Sequence, residues 1–89
     1  MKIAHARLWG ANFTDATFYN FTCSNCGLSD ASFRNAEFNL AVLDGSDITD
    51  ADFRGAKNVQ HVYFGNATLD RAKWTDGRLC KEGSIGECK

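Results

Sequence analysis

The chain contains no proline, no long apolar run and no excess of basic residues. Its longest apolar run is four residues, Leu40–Leu43, so no segment is long enough to cross a membrane. A net charge of −1 provides neither the basic surface that binds nucleic acid nor a polybasic patch for anionic lipid. We therefore expect no direct nucleic acid binding and no membrane insertion. The N-terminal segment also lacks the apolar core of a signal peptide.

Residue types that carry catalysis or bind phosphates are present but are not grouped. The two histidines, His5 and His61, lie far apart in the sequence, and no nucleophile is paired with a base. The segment GSIG at residues 83–86 lacks the lysine and hydroxyl residue of a phosphate-binding loop. We therefore predict that the protein is not an enzyme and uses no cofactor.

Large apolar residues recur at every fifth position along most of the chain. This spacing fits neither an amphipathic helix nor a strand that alternates apolar and polar residues. The position two places before a large residue is mostly alanine, and neither set of positions contains a charged residue. The frame slips by one residue after Phe53 and resumes at Phe64. The large positions are Ile3, Leu8, Phe13, Phe18, Cys23, Leu28, Phe33, Phe38, Leu43, Ile48, Phe53, Phe64, Leu69, Trp74 and Leu79.

A longer repeat lies over the period of five. Segments 11–17, 31–37, 51–57 and 72–78 read ANFTDAT, ASFRNAE, ADFRGAK and AKWTDGR. The first three segments begin four five-residue units apart. The last begins one residue later than this spacing, because of the slip. Residues one such repeat apart are thus chemically equivalent, which predicts a coil with four sides of five residues each. Each coil would bury its apolar residues by stacking on its neighbours, with β-type hydrogen bonds between coils.

Two places depart from this frame. In the second coil Phe21 holds a small position and Cys23 the large one beside it, a swap that roughly conserves core volume. At residues 57–61 the segment KNVQH breaks the period. We expect a short loop at one corner there, with Val59 in the inward position.

The tandem pattern of alanine, a small polar residue, phenylalanine or leucine and two further residues resembles that of the pentapeptide-repeat proteins. The resemblance covers residues 1–79 and implies an all-β fold, a right-handed quadrilateral β-helix of about four coils. Residues 1–79 would form this β-helix, with an irregular insertion near 57–61. Residues 80–89 would form a short C-terminal cap or tail.

The end of a solenoid needs a cap, because its last coil exposes strand edges and an open core. Leu79, Ile85 and a disulfide between Cys80 and Cys88 could supply that cap. The tail also resembles the ending of many bacterial pentapeptide-repeat proteins that carry secretion leaders. The compartment stays open: periplasmic or secreted if Cys80–Cys88 is oxidised and a leader was removed, and otherwise cytoplasmic.

Cys23 and Cys26 form a CxxC pair that has three interpretations. A redox dithiol needs a helix N-terminus to lower the thiol pKa, and the repeat frame offers none. A closed zinc site needs four ligands, and the other two cysteines lie about three coils away. Since both residues fall on inward positions, buried thiols are the favoured interpretation. A Cys23–Cys26 disulfide and a metal site are the alternatives.

Outward-facing apolar residues mark the candidate interface. Exposed aromatic side chains anchor interfaces more often than they decorate solvated surfaces. Several such side chains are predicted on adjacent or shared sides of the coil, where they would contact a protein partner or a second copy. The residues are Trp9, Tyr19, Leu40, Val42 and Tyr63.

Acidic residues form a second candidate contact. We expect Asp44, Asp47 and Asp50 to lie along one corner of the third coil, where they would add specificity to an interface. A weak calcium site is one alternative. An ordinary solvated surface is the favoured one, since aspartates at corners satisfy turns through their own backbones.

Together these features predict a non-enzymatic protein-interaction or structural module, a rigid β-helix whose faces meet a protein partner or a second copy in a homodimer. The family resemblance also permits a different role, that of a DNA mimic that binds DNA gyrase. That role would need a strongly negative face, whereas Arg34 and Arg54 stack on one side and the net charge is −1. The sequence does not identify the partner.

Overall fold

The computed structural model of the protein describes residues 2–89. Its strands form one parallel sheet whose spatial order follows the sequence. A single 3-10 turn precedes the last strand. The elements are β1 (Lys2–Ala4), β2 (Thr17–Ser24), β3 (Glu37–Val42), the 3-10 turn (Val59–His61) and β4 (Val62–Tyr63). Within residues 2–89, no helix is long and apolar enough to span a bilayer.

The register between strands confirms the predicted coil. Phe18 pairs with Phe38 across β2 and β3, one full repeat later in the sequence. Ala41 pairs with Val62, which is one residue more than a full repeat. Single parallel bridges keep the same offsets on the other sides, as between Ser32 and Asp52. The chain is therefore an all-β coil with four five-residue sides to each turn, and its third turn has one residue more.

The corners fall at regular positions that take positive φ. Asp30, Asn35 and Asp50, for example, have φ between 57° and 61°. At most corners the large residue's carbonyl accepts the N–H three residues later, as in Phe33 O to Ala36 N at 3.1 Å. A positive φ at the third residue of such a turn favours Gly, Asn and Asp. This preference explains why those residues recur where the coil changes direction.

The core is a set of ladders in which equivalent residues of successive coils stack. The rings of Phe33 and Phe53 lie 4.8 Å apart and 8° from parallel, and those of Phe18 and Phe38 lie 5.1 Å apart at 9°. Cys23 is fully buried, whereas Phe21 is only partly buried and rests on the Phe18 ring at 5.1 Å. The predicted swap of large and small residues therefore moves Phe21 toward the surface.

The insertion near residues 57–61 is where the extra residue is accommodated. Asn58 takes a left-handed conformation with φ 63° before the 3-10 turn. Val59 packs against the core with partial burial, and Val62 returns the chain to the sheet. The 3-10 turn and the left-handed Asn58 together take up the extra residue at this corner.

The tail folds back on the last coil, and its apolar residues do not cap the core as predicted. Lys73 bridges Leu79 and Thr68 bridges Ile85, both antiparallel. The side chains of two bridged residues lie on the same face of the sheet. Leu79 and Ile85 therefore point outward, as their bridge partners do, and their side chains are 58% and 48% exposed. The prediction that they fill the end of the core is therefore wrong. The inward tail residues are Cys80 and Ser84.

Polar contacts hold this tail in place. Cys80 and Cys88 form a disulfide, and the Asp70 carboxylate accepts the N–H groups of Gly83 and Ser84, both at 3.0 Å. The Ser84 hydroxyl donates to the Lys81 carbonyl and accepts the Lys89 N–H. The buried Ser84 side chain is therefore fully paired, which is why a serine can end an otherwise apolar column.

Candidate functional site

A group of exposed apolar residues lies around the corner between two sides of the coil. Tyr19 and Leu40 approach that corner from one side, and Val42 and Tyr63 form part of the next. Tyr19, Leu40 and Tyr63 are 69%, 43% and 60% exposed, and Val42 is half-buried. We call these four residues the lateral patch. The structure brings together four of the five apolar residues that the sequence predicts at an interface.

A shallow cavity of about 230 Å³ opens beside the lateral patch. Leu40 and Val42 form part of its wall, together with the partly buried Phe21. Thr22 and Lys2 stand in register with Val42, and they line the cavity with the corner residue Asn20. Of these lining residues, Lys2 alone is charged. The repeat contains a signal for this grouping, because residues 2, 22 and 42 stand one repeat apart.

Leu40 occupies a corner in a conformation that disfavours leucine. Its φ is 66°, whereas the equivalent corner one repeat earlier holds Asn20 and the adjoining corners hold Asn35 and Gly45. A leucine in the left-handed region costs roughly 1 kcal/mol relative to residues that favour it. Strained residues of this kind concentrate at functional sites. The centre of the lateral patch is therefore held at a cost to stability.

Trp9 lies apart from the lateral patch. It belongs to the side of the coil that carries the column Arg7, Gly27 and Asp47, opposite the side of Tyr19. The Trp9 indole lies over Gly27, where an added Cβ would come within 2.5 Å of its Nε1, and the Arg7 guanidinium lies 5.9 Å from the ring centroid. Trp9 therefore belongs to a different surface from Tyr19, and its place in an interface stays a prediction.

The predicted acidic corner is not a single cluster. Asp44, Asp47 and Asp50 spread across one side of the third coil, from one corner to the next. Each is engaged locally: Asp44 accepts the Gly65 N–H at 2.9 Å, and Asp47 accepts the Thr49 N–H at 3.1 Å. Asp50 receives two bonds from the Arg71 guanidinium. Within residues 2–89, no group of His, Cys, Asp and Glu could hold a metal ion.

Neighbouring arginine side chains perturb the pKa of the Asp52 carboxylate. The Arg54 guanidinium donates to it at 2.7 Å, and that hydrogen bond lowers the pKa of Asp52 against a smaller opposing effect of desolvation. The same contact raises the pKa of Arg54, and Arg34 lies 3.9 Å from the carboxylate. Arginine charge therefore offsets the carboxylate on this side of the coil.

Cys23 and Cys26 form a buried disulfide, so their interpretation as free thiols is wrong. The turn that they span differs from the other corners. Ser46 stands in the next coil at a small position that usually holds alanine. Its hydroxyl accepts the Cys26 N–H at 3.0 Å and donates to the Cys23 carbonyl at 2.9 Å. One serine side chain thus replaces the missing turn hydrogen bond, which sequence analysis did not predict.

Replacing Ser46 with alanine should destabilise the protein by about 1–3 kcal/mol, because it leaves a buried N–H and a buried carbonyl without partners. Urea unfolding followed by tryptophan fluorescence would measure this change. Ser32→Ala is the matched control, since the Ser32 hydroxyl bonds Thr14 at an exposed site. Equal stability of Ser46→Ala and wild type would contradict the bridging role.

Comparison with known proteins agrees with this architecture. Residues 23–57 match the family model for pentapeptide repeats in 8 copies. Among solved structures, the chain is similar to HetL, a pentapeptide repeat protein involved in heterocyst differentiation regulation from the cyanobacterium Nostoc sp. strain PCC 7120. The identity is 20% and the TM-score 0.54, over 88% of this chain and 42% of HetL. At this identity the likeness shows the fold alone. No curated protein matches the chain.

Proposed function

Because residues 23–57 are pentapeptide repeats within a right-handed quadrilateral β-helix, we propose that the protein is a non-enzymatic module that binds a protein partner through the lateral patch. The observation that carries this proposal is Leu40, an exposed apolar side chain kept in a left-handed corner. Asparagine or glycine would avoid the strain at this corner. The leucine therefore gives no advantage to the fold, and its apolar side chain suits a role in binding.

The chemistry of the lateral patch suits an apolar anchor on the partner. The cavity beside Leu40 and Val42 is large enough for one aromatic or aliphatic side chain. Tyr63 stands in register with Val42, and Tyr19 precedes the lining residue Asn20, so two exposed amphipathic rings belong to the same patch. Tyrosine is enriched among the residues that dominate binding energy at interfaces. Lys2 at the edge of the cavity favours a carboxylate next to the partner's anchor residue.

Photo-crosslinking in the host cells tests this proposal. Tyr63 is replaced by the photoreactive amino acid benzoylphenylalanine, which keeps an exposed aromatic ring at that position. We expect a discrete crosslinked product after illumination. Adding Leu40→Asn should abolish it, because the cavity loses its apolar wall. Asparagine occupies equivalent corners at positions 20 and 35, so the fold should be at least as stable.

The matched control places benzoylphenylalanine at Trp9, an equally exposed aromatic on another side of the coil. Its products should not depend on residue 40. A Tyr63 product of unchanged yield in Leu40→Asn, or no Tyr63 product at all, would overturn the proposed surface. A product of twice the chain's mass would identify the lateral partner as a second copy.

The alternative role, mimicry of DNA as a ligand of DNA gyrase, finds little support in the surface charges. Asp50 and Asp52 are paired with Arg71 and Arg54, and the longest dimension of the molecule is 30 Å. A DNA mimic needs an extended face of one negative sign, which these pairs interrupt. Inhibition of gyrase supercoiling by the purified protein would favour this role over the interaction module.

A further inference from the structure

The cavity beside the lateral patch has a charged end and an apolar end. Lys2 on β1, Thr22 on β2 and Val42 on β3 stand in register in one column. Neighbouring strands of a sheet lie roughly 4.8 Å apart, so about 10 Å separates the backbone of Lys2 from that of Val42. Leu40 belongs to the same strand as Val42, and its side chain is exposed. The lining of the cavity therefore changes from a cation on β1 to apolar side chains on β3.

The Lys2 ammonium group has no anionic partner in the part of the chain that the structure describes. Among residues 2–89 the ion pairs involve only arginine, as between Arg71 and Asp50 at 3.1 Å. No carboxylate lies among the described residues that line the cavity. An exposed cation beside an apolar surface favours a ligand that carries a carboxylate next to an apolar group.

Thr22 lies between the two ends of the cavity and adds a hydroxyl group. A hydroxyl group can donate a hydrogen bond to a carboxylate, and it can accept one from a peptide N–H. The cavity thus offers a cation, a hydroxyl group and an apolar wall in order along one column. The C-terminal residue of a protein offers the matching set, which is a carboxylate, a peptide N–H and a side chain.

The size of the cavity limits what it can hold. At about 230 Å³ it is smaller than the roughly 300–1,000 Å³ cavities that enclose drug-sized ligands. It can therefore take one residue but not a longer stretch of chain. A C-terminal residue carries its carboxylate and its side chain on the same Cα, so both groups can enter one small cavity. An internal segment would need a second residue to supply the negative charge.

We propose that this cavity binds the C-terminal residue of a partner protein that ends in an aromatic or large aliphatic residue. The terminal carboxylate pairs with the Lys2 ammonium group, and the side chain packs against Leu40 and Val42. Capture of a C-terminal carboxylate is a recurring mode of peptide recognition. C-terminal recognition rests on the proposed function, because it names the part of the partner that the lateral patch binds.

Amide chemical shifts of the isotope-labelled 89-residue chain, titrated with two peptides, test this proposal. The probes are acetyl-glycyl-glycyl-phenylalanine with a free C-terminal carboxylate and the same peptide with a C-terminal amide. The free acid should shift the N–H signals of Thr22 and Val42. It should also bind about fivefold more tightly than the amide, since a partly exposed ion pair contributes a small free energy. Lys2→Met should remove this difference, whereas Lys2→Arg keeps the charge and should retain it.

Lys57→Met is the matched control. Lys57 is also exposed, but it bridges Glu37 on another side of the coil. This variant changes the net charge by the same amount as Lys2→Met, so its preference for the free acid should survive. Loss of the preference in both variants would show attraction by net charge alone and would overturn the proposal. Equal affinity of the wild type for the two peptides, or shifts confined to residues outside the cavity, would overturn it as well.

Leu40→Asn separates C-terminal recognition from the proposed function on which it rests. An apolar anchor in the lateral patch requires that this variant weaken both peptides by the same factor. Peptides that bind equally and both depend on residue 40 would support the apolar anchor and refute the terminal carboxylate. No shift with either peptide, together with a Tyr63 crosslink that still depends on residue 40, would refute C-terminal recognition alone. If neither the peptides nor the crosslink depend on residue 40, both proposals fail.

Discussion

Phe53→Ala should lower the free energy of unfolding by about 3–5 kcal/mol, enough to unfold most of a domain of this size. Phe53 is fully buried, and its ring stacks on Phe33 at 4.8 Å and contacts Trp74 at 5.3 Å. In a solenoid each coil is stabilised mainly by its neighbours. A cavity in the third coil therefore weakens the contacts on both of its faces.

Thermal and urea unfolding, followed by circular dichroism, would measure this effect. Phe13→Ala is the control, because Phe13 belongs to the same ladder but lies half-buried in the first coil and stacks only on Phe33 along that ladder. Its cost should be about half that of Phe53→Ala. If Phe53→Ala does not fold, Phe53→Leu gives a measurable, smaller loss. Equal costs at positions 13 and 53 would contradict the stacked core.

Replacing both Cys80 and Cys88 with alanine should cost about 2–3 kcal/mol, the value for a disulfide that closes a short loop. The loss should be concentrated in the tail, because the bond ties residues 80–88 across the last coil. Hydrogen exchange by mass spectrometry should show faster exchange at Leu69 and Arg71, whose N–H groups donate to the tail. Exchange at Phe33 should change little.

The matched control for this tail variant is Asp70→Asn. It weakens the carboxylate that holds Gly83 and Ser84 but leaves the disulfide intact, so its cost should be smaller. Uniformly faster exchange along the chain would show instead that the disulfide stabilises the coil as a whole. Thiol alkylation in the host cells would report whether both disulfides exist there, and so whether the protein resides in an oxidising compartment.

Much of the fold was predictable because the period of five encodes it directly. Every inward residue from Leu28 to Phe53 was identified from spacing alone, since a repeated coil leaves only one register that buries the apolar set. The tail was not predictable in the same way. Leu79 keeps the spacing, but the chain reverses after Trp74, and reversal turns a residue at an inward spacing outward.

The site was less predictable than the fold, because it depends on contacts between coils rather than on composition. The five-residue frame predicts that Tyr19, Leu40 and Tyr63 are exposed. To predict that Trp9 lies on a different surface, one must also assign each residue to one of the four sides of the coil. The CxxC pair was misread for a related reason. The turn spanned by the disulfide lacks the hydrogen bond of the other corners, and Ser46, one repeat after Cys26, bonds both of its free groups from the next coil.

The tail has a consequence for assembly. A coil with two open edges could add copies at both ends and grow into a fibre, as exposed strand edges do. Here the Cys80–Cys88 tail pairs with the edge of the last coil, so that edge is not available to another chain. The tail therefore protects the last coil against edge-to-edge association, and we expect its removal to expose an edge at which other chains can pair.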